Sequence, residues 1–202
     1  MNNGMNNKTY LIIGGTGGIG QAMVKQLVQE SAADQTDGAS AKRHSTQVFA
    51  TYHRSEPNFE AENLHWLPMN ISDEDSIQKA ADTIKQTMGH VDWVINCVGL
   101  LHTKTAQPEK ALRQIETAFF LQNMQINALA SLLIAKHIKP LLAKAKRSAS
   151  HPAIFATISA RVGSITDNQL GGWYSYRMSK AALNMGMKNL SIEWGRSLKE
   201  VC

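Results

Sequence analysis

Short apolar runs alternate along this chain with stretches whose apolar positions recur at helical spacing. Leu11, Ile12 and Ile13 are continuous, as expected of a strand buried on both faces of a parallel sheet. Ile19, Met23, Leu27 and Val28 then mark a helix that ends near Glu30. Residues 48–52 read as a second strand and 64–69 as a third. Ser72 or Asp73 caps a helix whose stripe is Ile77, Ala80, Ala81, Ile84 and Met88. Residues 91–96 are the fourth strand, and after a variable connection at 100–107 a long helical region runs to about Lys139. Residues 153–158 make the fifth strand, and a last helix carries Tyr176 onward. No internal repeat interrupts this order. The alternation predicts an α/β fold, a doubly wound parallel sheet of five strands in a three-layer arrangement.

One connection is too long for that scheme. Residues 31–46 hold no apolar residue larger than alanine, whereas such loops usually take about 2–6 residues. They read as a surface insertion at the amino ends of the strands, without a catalytic role.

Composition narrows the class. The 202 residues read as one domain, 1–202, with globular values of 43% apolar and 18% charged residues. The net charge of +5 is scattered, apart from Lys144-Ala145-Lys146-Arg147, which reads as a solvated helix end. No nucleic-acid partner is expected. Cys97 and Cys202 have neither metal spacing nor a disulfide framework, and Cys97 reads as a small core residue. No apolar run reads as a membrane span and the first residues do not begin a signal peptide, so a cytoplasmic protein is expected.

The glycines bring in chemistry. Five of the seven residues from Gly14 to Gly20 are glycine, between a predicted strand and a predicted helix. Backbone N–H groups and the helix dipole favour an anion there, and missing side chains let a pyrophosphate approach. Gly14, Thr16, Gly17, Gly18, Ile19 and Gly20 are therefore the predicted cradle of a dinucleotide. Arg54 lies just past the second strand, where the adenine ribose is read. An acid there would bind a free 2′-hydroxyl, whereas Arg accommodates a 2′-phosphate. No Asp or Glu appears before Glu56, so NADP(H) is favoured over NAD(H); the competing reading of Arg54 is a solvated loop residue.

Gly14, Gly18 and Gly20 space as G-x-x-x-G-x-G, and far downstream stands Tyr176-Arg177-Met178-Ser179-Lys180. Together these resemble the short-chain dehydrogenase/reductase family over the whole chain. The stretches 159–165 and 171–174 are similar to its C-factor and sniffer-type carbonyl reductase branch. The family usually has Thr where this chain has Ile13, which loses one turn-bracing hydroxyl. The resemblance places Asn70 and Ile71 beside the adenine, with Asn70 where the family commonly has Asp. It aligns Asn96-Cys97-Val98-Gly99 with the family's Asn-Asn-Ala-Gly, so Asn96 braces the sheet while Val98 and Gly99 pass the cofactor. Asn127 matches a helix Asn that holds a relay water; a buried Asn bonded to neighbouring backbone is the equal alternative.

Tyr176 and Lys180 are four apart, on one helical face. A free phenol has a pKa of about 10, and a nearby ammonium favours the phenolate. By resemblance Tyr176 is the general acid/base of hydride transfer to a small-molecule carbonyl, and Lys180 also holds the nicotinamide ribose. The family's carbonyl-polarising Ser falls on Ala160, leaving Ser159 as the candidate and Ser164 as its fallback. A dinucleotide-binding signalling protein with little turnover is the alternative function; Ala160 favours it, while Tyr176, Lys180 and Asn127 favour the enzyme. Relatives often pair through their two long helices, so a homo-oligomer is expected. Relatives also continue past the position of Cys202 with two further strands. A chain ending here is expected to bind the adenine half of the cofactor, turn over poorly and self-associate along its fifth strand.

Overall fold

The computed structural model describes residues 8–33, 46–145 and 152–198. The insertion between Ala33 and Thr46, Lys146 and Arg147 of the basic cluster, and Cys202 lie outside the described residues. Strands β1 (Thr9–Ile13), β2 (Gln47–Tyr52), β3 (Leu64–Pro68), β4 (Trp93–Asn96) and β5 (Ile154–Thr157) form one parallel sheet, ordered β3-β2-β1-β4-β5. Helix α1 (Gly18–Ala33) links β1 to β2, and α2 (Glu74–Thr87) links β3 to β4. Between β4 and β5, α3 (Thr117–Met124) runs through a π-helical turn (Gln125–Leu129) into α4 (Ala130–Leu142). Helix α5 (Tyr174–Ser197) follows β5. This is the doubly wound α/β fold read from the alternation.

Side chains of β1 and β2 divide between two cores. Ile12, Val48 and Ala50 pack toward Val24, Leu27 and Val28 of α1. Leu11, Ile13 and Phe49 turn the other way, toward Ile77 and Ile84 of α2, Ile134 and Ile138 of α4 and Trp194 of α5. Adjacent strand residues face opposite sides, so continuous apolar runs are what a doubly covered strand needs. The rings of Trp194 and Phe155 meet edge to face at 5.5 Å and seat α5 on β5.

Strand β4 starts later than the apolar run suggests. It runs from Trp93, and just ahead of it Asp92 is tied to both neighbours: its N–H donates to the Thr9 carbonyl, its carbonyl accepts the Ile154 N–H, each at 2.8 Å, and its carboxylate accepts the Thr9 N–H at 2.7 Å. The helical run Thr117–Leu142 corrects the expectation that no segment could span a membrane: by length and composition it could. In the fold it is a core helix, with Ile134, Ala135, Ile138 and Leu141 buried against the sheet.

The sheet order reverses between β1 and β4. Ile13 and Asn96 stand in register there, and the chain departs to opposite sides beyond them. A crevice at the carboxyl ends of such strands is where this fold class takes its ligands.

Candidate active site

The glycine turn is built from close approaches. Gly14 has a φ of 82°, and a Cβ on it would stand 2.7 Å from Val98 Cγ2. A Cβ on Gly20 would stand 2.2 Å from the Gly14 carbonyl oxygen, so α1 can start this close only without one. Around Gly18, by contrast, the space a Cβ would take is open. Gly17, Gly18 and Ile19 are exposed at the N-terminus of α1, as an anion cradle requires. The hydroxyl missing at Ile13 is supplied from β2: the Gly14 N–H donates to Thr51 Oγ1 at 3.0 Å, and the Gly15 N–H to the Thr51 carbonyl at 2.8 Å.

A cavity of about 820 Å³ opens from this turn along the carboxyl ends of the strands. Its walls bring together Gly14, Thr16, Arg54, Asn70, Ile71, Val98 and Gly99, all named from sequence. Asn70 holds its own turn, its Oδ1 accepting the Ser72 N–H at 3.1 Å. Asn96 is 1% exposed; it donates to Ser131 Oγ and accepts the Val98 N–H, each at 3.0 Å, so it shapes the wall from behind. His102 and Lys104, from the connection after β4, add basic groups that sequence reading passed over. The turn, the open space at Gly18 and the cavity fit a dinucleotide.

Gly99 joins that cavity to the side chains that the sequence nominates for chemistry. Its Cβ position lies 3.3 Å from Lys180 Nζ and 3.5 Å from Asn127 Oδ1. Lys180 is 2% exposed, donates to the Ile158 carbonyl at 2.9 Å, and stands 5.8 Å from the centre of the Tyr176 ring. Burial pushes the Tyr176 phenol above its ordinary value and the Lys180 amine below its own. Desolvation sets the direction of both shifts.

Asn127 sits in the π-helical turn, a local widening frequent at functional sites. Its Oδ1 accepts the Leu100 N–H at 2.6 Å, and its Nδ2 lies 2.8 Å from the Leu100 carbonyl and 2.9 Å from Ser179 Oγ. The Ser179 hydroxyl in turn donates to the Tyr176 carbonyl at 2.8 Å. Asn127 thus ties the cavity wall at Leu100 to the turn of α5 that carries Tyr176.

The two serines are engaged elsewhere. Ser159 Oγ donates to Asn184 Oδ1 at 2.6 Å, and Ser164 Oγ accepts the Asp167 N–H at 3.2 Å. Cys97 is half-buried with its thiol pushed up by desolvation, the behaviour of a packing residue. Among the described residues no cluster of His, Cys, Asp and Glu could hold a metal. Ser179, Thr51, Asn184 and Glu109 were not legible beforehand, since each acts through a partner distant in sequence.

The family model for short chain dehydrogenases matches residues 8–199. An uncharacterised oxidoreductase of Schizosaccharomyces pombe is 28% identical over 194 residues, covering 93% of this chain and 68% of its own length. The C-signal protein of Myxococcus xanthus is 35% identical over 106 residues, covering 52% of this chain and 57% of that one. Among solved structures, the NADPH-bound carbonyl reductase from chicken fatty liver superposes with a TM-score of 0.76 at 24% identity, covering 98% of this chain and 75% of that one. With the glycine turn, the strand order and the family model matched over residues 8–199, the chain belongs to the short-chain dehydrogenase family.

Proposed function

We propose that this chain is an NADP(H)-dependent oxidoreductase acting on a small-molecule carbonyl or the corresponding secondary alcohol. The observation that carries the reading is the meeting of Lys180 and Asn127 at Gly99, on the wall of the dinucleotide-sized cavity, with Tyr176 beside Lys180. Arg54 on the same wall supports a 2′-phosphate, and the chicken carbonyl reductase of like fold is an NADPH complex.

A reduced nicotinamide, when bound, supplies hydride to the carbonyl carbon. Tyr176 gives its phenolic proton to the carbonyl oxygen and is left as phenolate. Lys180 compensates that charge from within the same buried pocket, and solvent returns the proton. Asn127 and Ser179 hold the α5 turn while this happens. In the oxidising direction Tyr176 removes the alcohol proton.

Exposed Leu121, Leu129 and Leu132 on the α3–α4 run and Met185 and Ile192 on α5 support pairing of copies through these helices. The test of the function is a panel of aldehydes, ketones and quinones incubated with NADPH, followed by loss of reduced-nicotinamide absorbance. Consumption that depends on both carbonyl and protein is expected. Binding of NADPH without consumption across the panel would favour the non-turnover reading that Ala160 suggests.

A further inference from the structure

Helix α5 begins without a cap of its own. The residue before it, Trp173, makes no side-chain capping bond and holds a left-handed φ of 51°. A Ser, Thr, Asp or Asn at that place ordinarily accepts an orphan N–H of the first turn. Here the oxygens arrive from 66 residues upstream: Glu109 accepts the Ser175 N–H at 3.2 Å on one carboxylate oxygen and the Ser175 hydroxyl on the other. The Glu109 carbonyl also accepts the Trp173 N–H. Glu109 is 3% exposed, and a buried carboxylate persists only when it is well hydrogen-bonded. The positive end of a 24-residue helix favours it further.

These bonds fix a strained entry. Gly171, Gly172 and Trp173 all have positive φ, and a Cβ on Gly172 would stand 3.3 Å from the Glu109 carbonyl oxygen. A non-glycine residue keeps such a backbone only where its surroundings hold it. The result is local to the proposed chemistry: the Trp173 ring meets the Tyr176 ring edge to face at 6.4 Å.

We propose that Glu109 is a positioning residue, which caps α5 from the connection after β4 and thereby fixes the aim of the Tyr176 phenol. This rests on the reading of Tyr176 as proton donor. The same connection supplies His102, Thr103 and Lys104 to the cavity wall, so the cap also ties that wall to α5.

The test compares E109A, E109Q, S175A and Y176F in two measurements: reduction of 9,10-phenanthrenequinone by NADPH, and amide hydrogen exchange across α5. E109A is expected to lower kcat about tenfold or more with KM for NADPH within about twofold. Its exchange over residues 173–177 should rise about tenfold while residues 183–194 stay as in the parent. E109Q keeps an acceptor for the Ser175 N–H and should restore kcat to within about threefold of the parent. If E109A does not fold, S175A carries the same expectation at smaller size.

Unchanged exchange over residues 173–177 in E109A and S175A would overturn the cap without any need of turnover. A parent-like kcat in E109A beside an inactive Y176F would overturn the positioning role alone. An active Y176F would instead sink the reading of Tyr176, and this proposal with it. Failure of E109Q to rescue would assign the effect to charge and contradict capping by hydrogen bonds.

Discussion

The Lys180 ammonium stands 5.8 Å from the centre of the Tyr176 ring and donates to the Ile158 carbonyl at 2.9 Å. Lys180 is buried and Tyr176 half-buried, and the loss of water pushes the phenol up and the amine down, each toward its neutral form. Carbonyl reduction consumes the phenolic proton, so raising that pKa keeps the donor loaded to higher pH. At saturating NADPH the reduction rate should stay level through neutrality and decline only at alkaline pH, where the Tyr176 proton and the Lys180 charge are lost. Alcohol oxidation needs the phenolate and should climb as pH rises. A reduction rate that falls through neutrality would contradict the burial argument.

Arg54 lines the cavity just beyond β2. Replacing it with Glu removes a guanidinium–phosphate contact and adds repulsion, which together should cost NADPH binding on the order of 2–4 kcal/mol. NADH should lose far less. Dissociation constants for the two cofactors measure the shift, and an unchanged ratio would show Arg54 pointing into solvent.

Two glycines of the same turn, Gly18 and Gly20, should respond differently to alanine. At Gly18 a Cβ meets open space, so Gly18→Ala should keep the parent Tm and lose cofactor affinity, because the methyl occupies the room left for the diphosphate. At Gly20 a Cβ would stand 2.2 Å from the Gly14 carbonyl oxygen, so Gly20→Ala should lower Tm and affinity together. Thermal melts with and without NADPH separate the two, and equal Tm losses would contradict the open cradle.

The Ser159 hydroxyl gives its proton to Asn184 Oδ1 at 2.6 Å. A group that polarises a carbonyl must donate to it, and this donor is already committed. Ser159→Ala is therefore expected to keep kcat within about threefold, well short of the loss typical of an oxyanion donor. A fall of about a hundredfold would show that substrate draws Ser159 away from Asn184.

The strands and the phosphate turn were legible because they rest on local rules. A doubly buried strand must be apolar throughout, and a helix starting against a strand end must be glycine-rich. Tyr176 and Lys180 were legible as a pair because helical geometry brings residues four apart together. Their electrostatics were not: each shift follows from how far the finished fold removes that group from water. Thr51 bracing Gly14, Asn184 taking the Ser159 proton and Glu109 capping α5 all join residues that only the completed fold makes neighbours. Trp173 shows the same limit, since nothing local favours a left-handed backbone at tryptophan, and the conformation is held through Glu109.

The most direct measurement of the central claim is single-turnover carbonyl reduction by Tyr176→Phe at saturating NADPH, paired with its NADPH dissociation constant. The substitution keeps the ring that packs near Trp173 and removes only the proton donor. A rate reduced about 10²–10⁴-fold with NADPH affinity within about twofold of the parent is the expected result. Retention of most of the parent rate would contradict it.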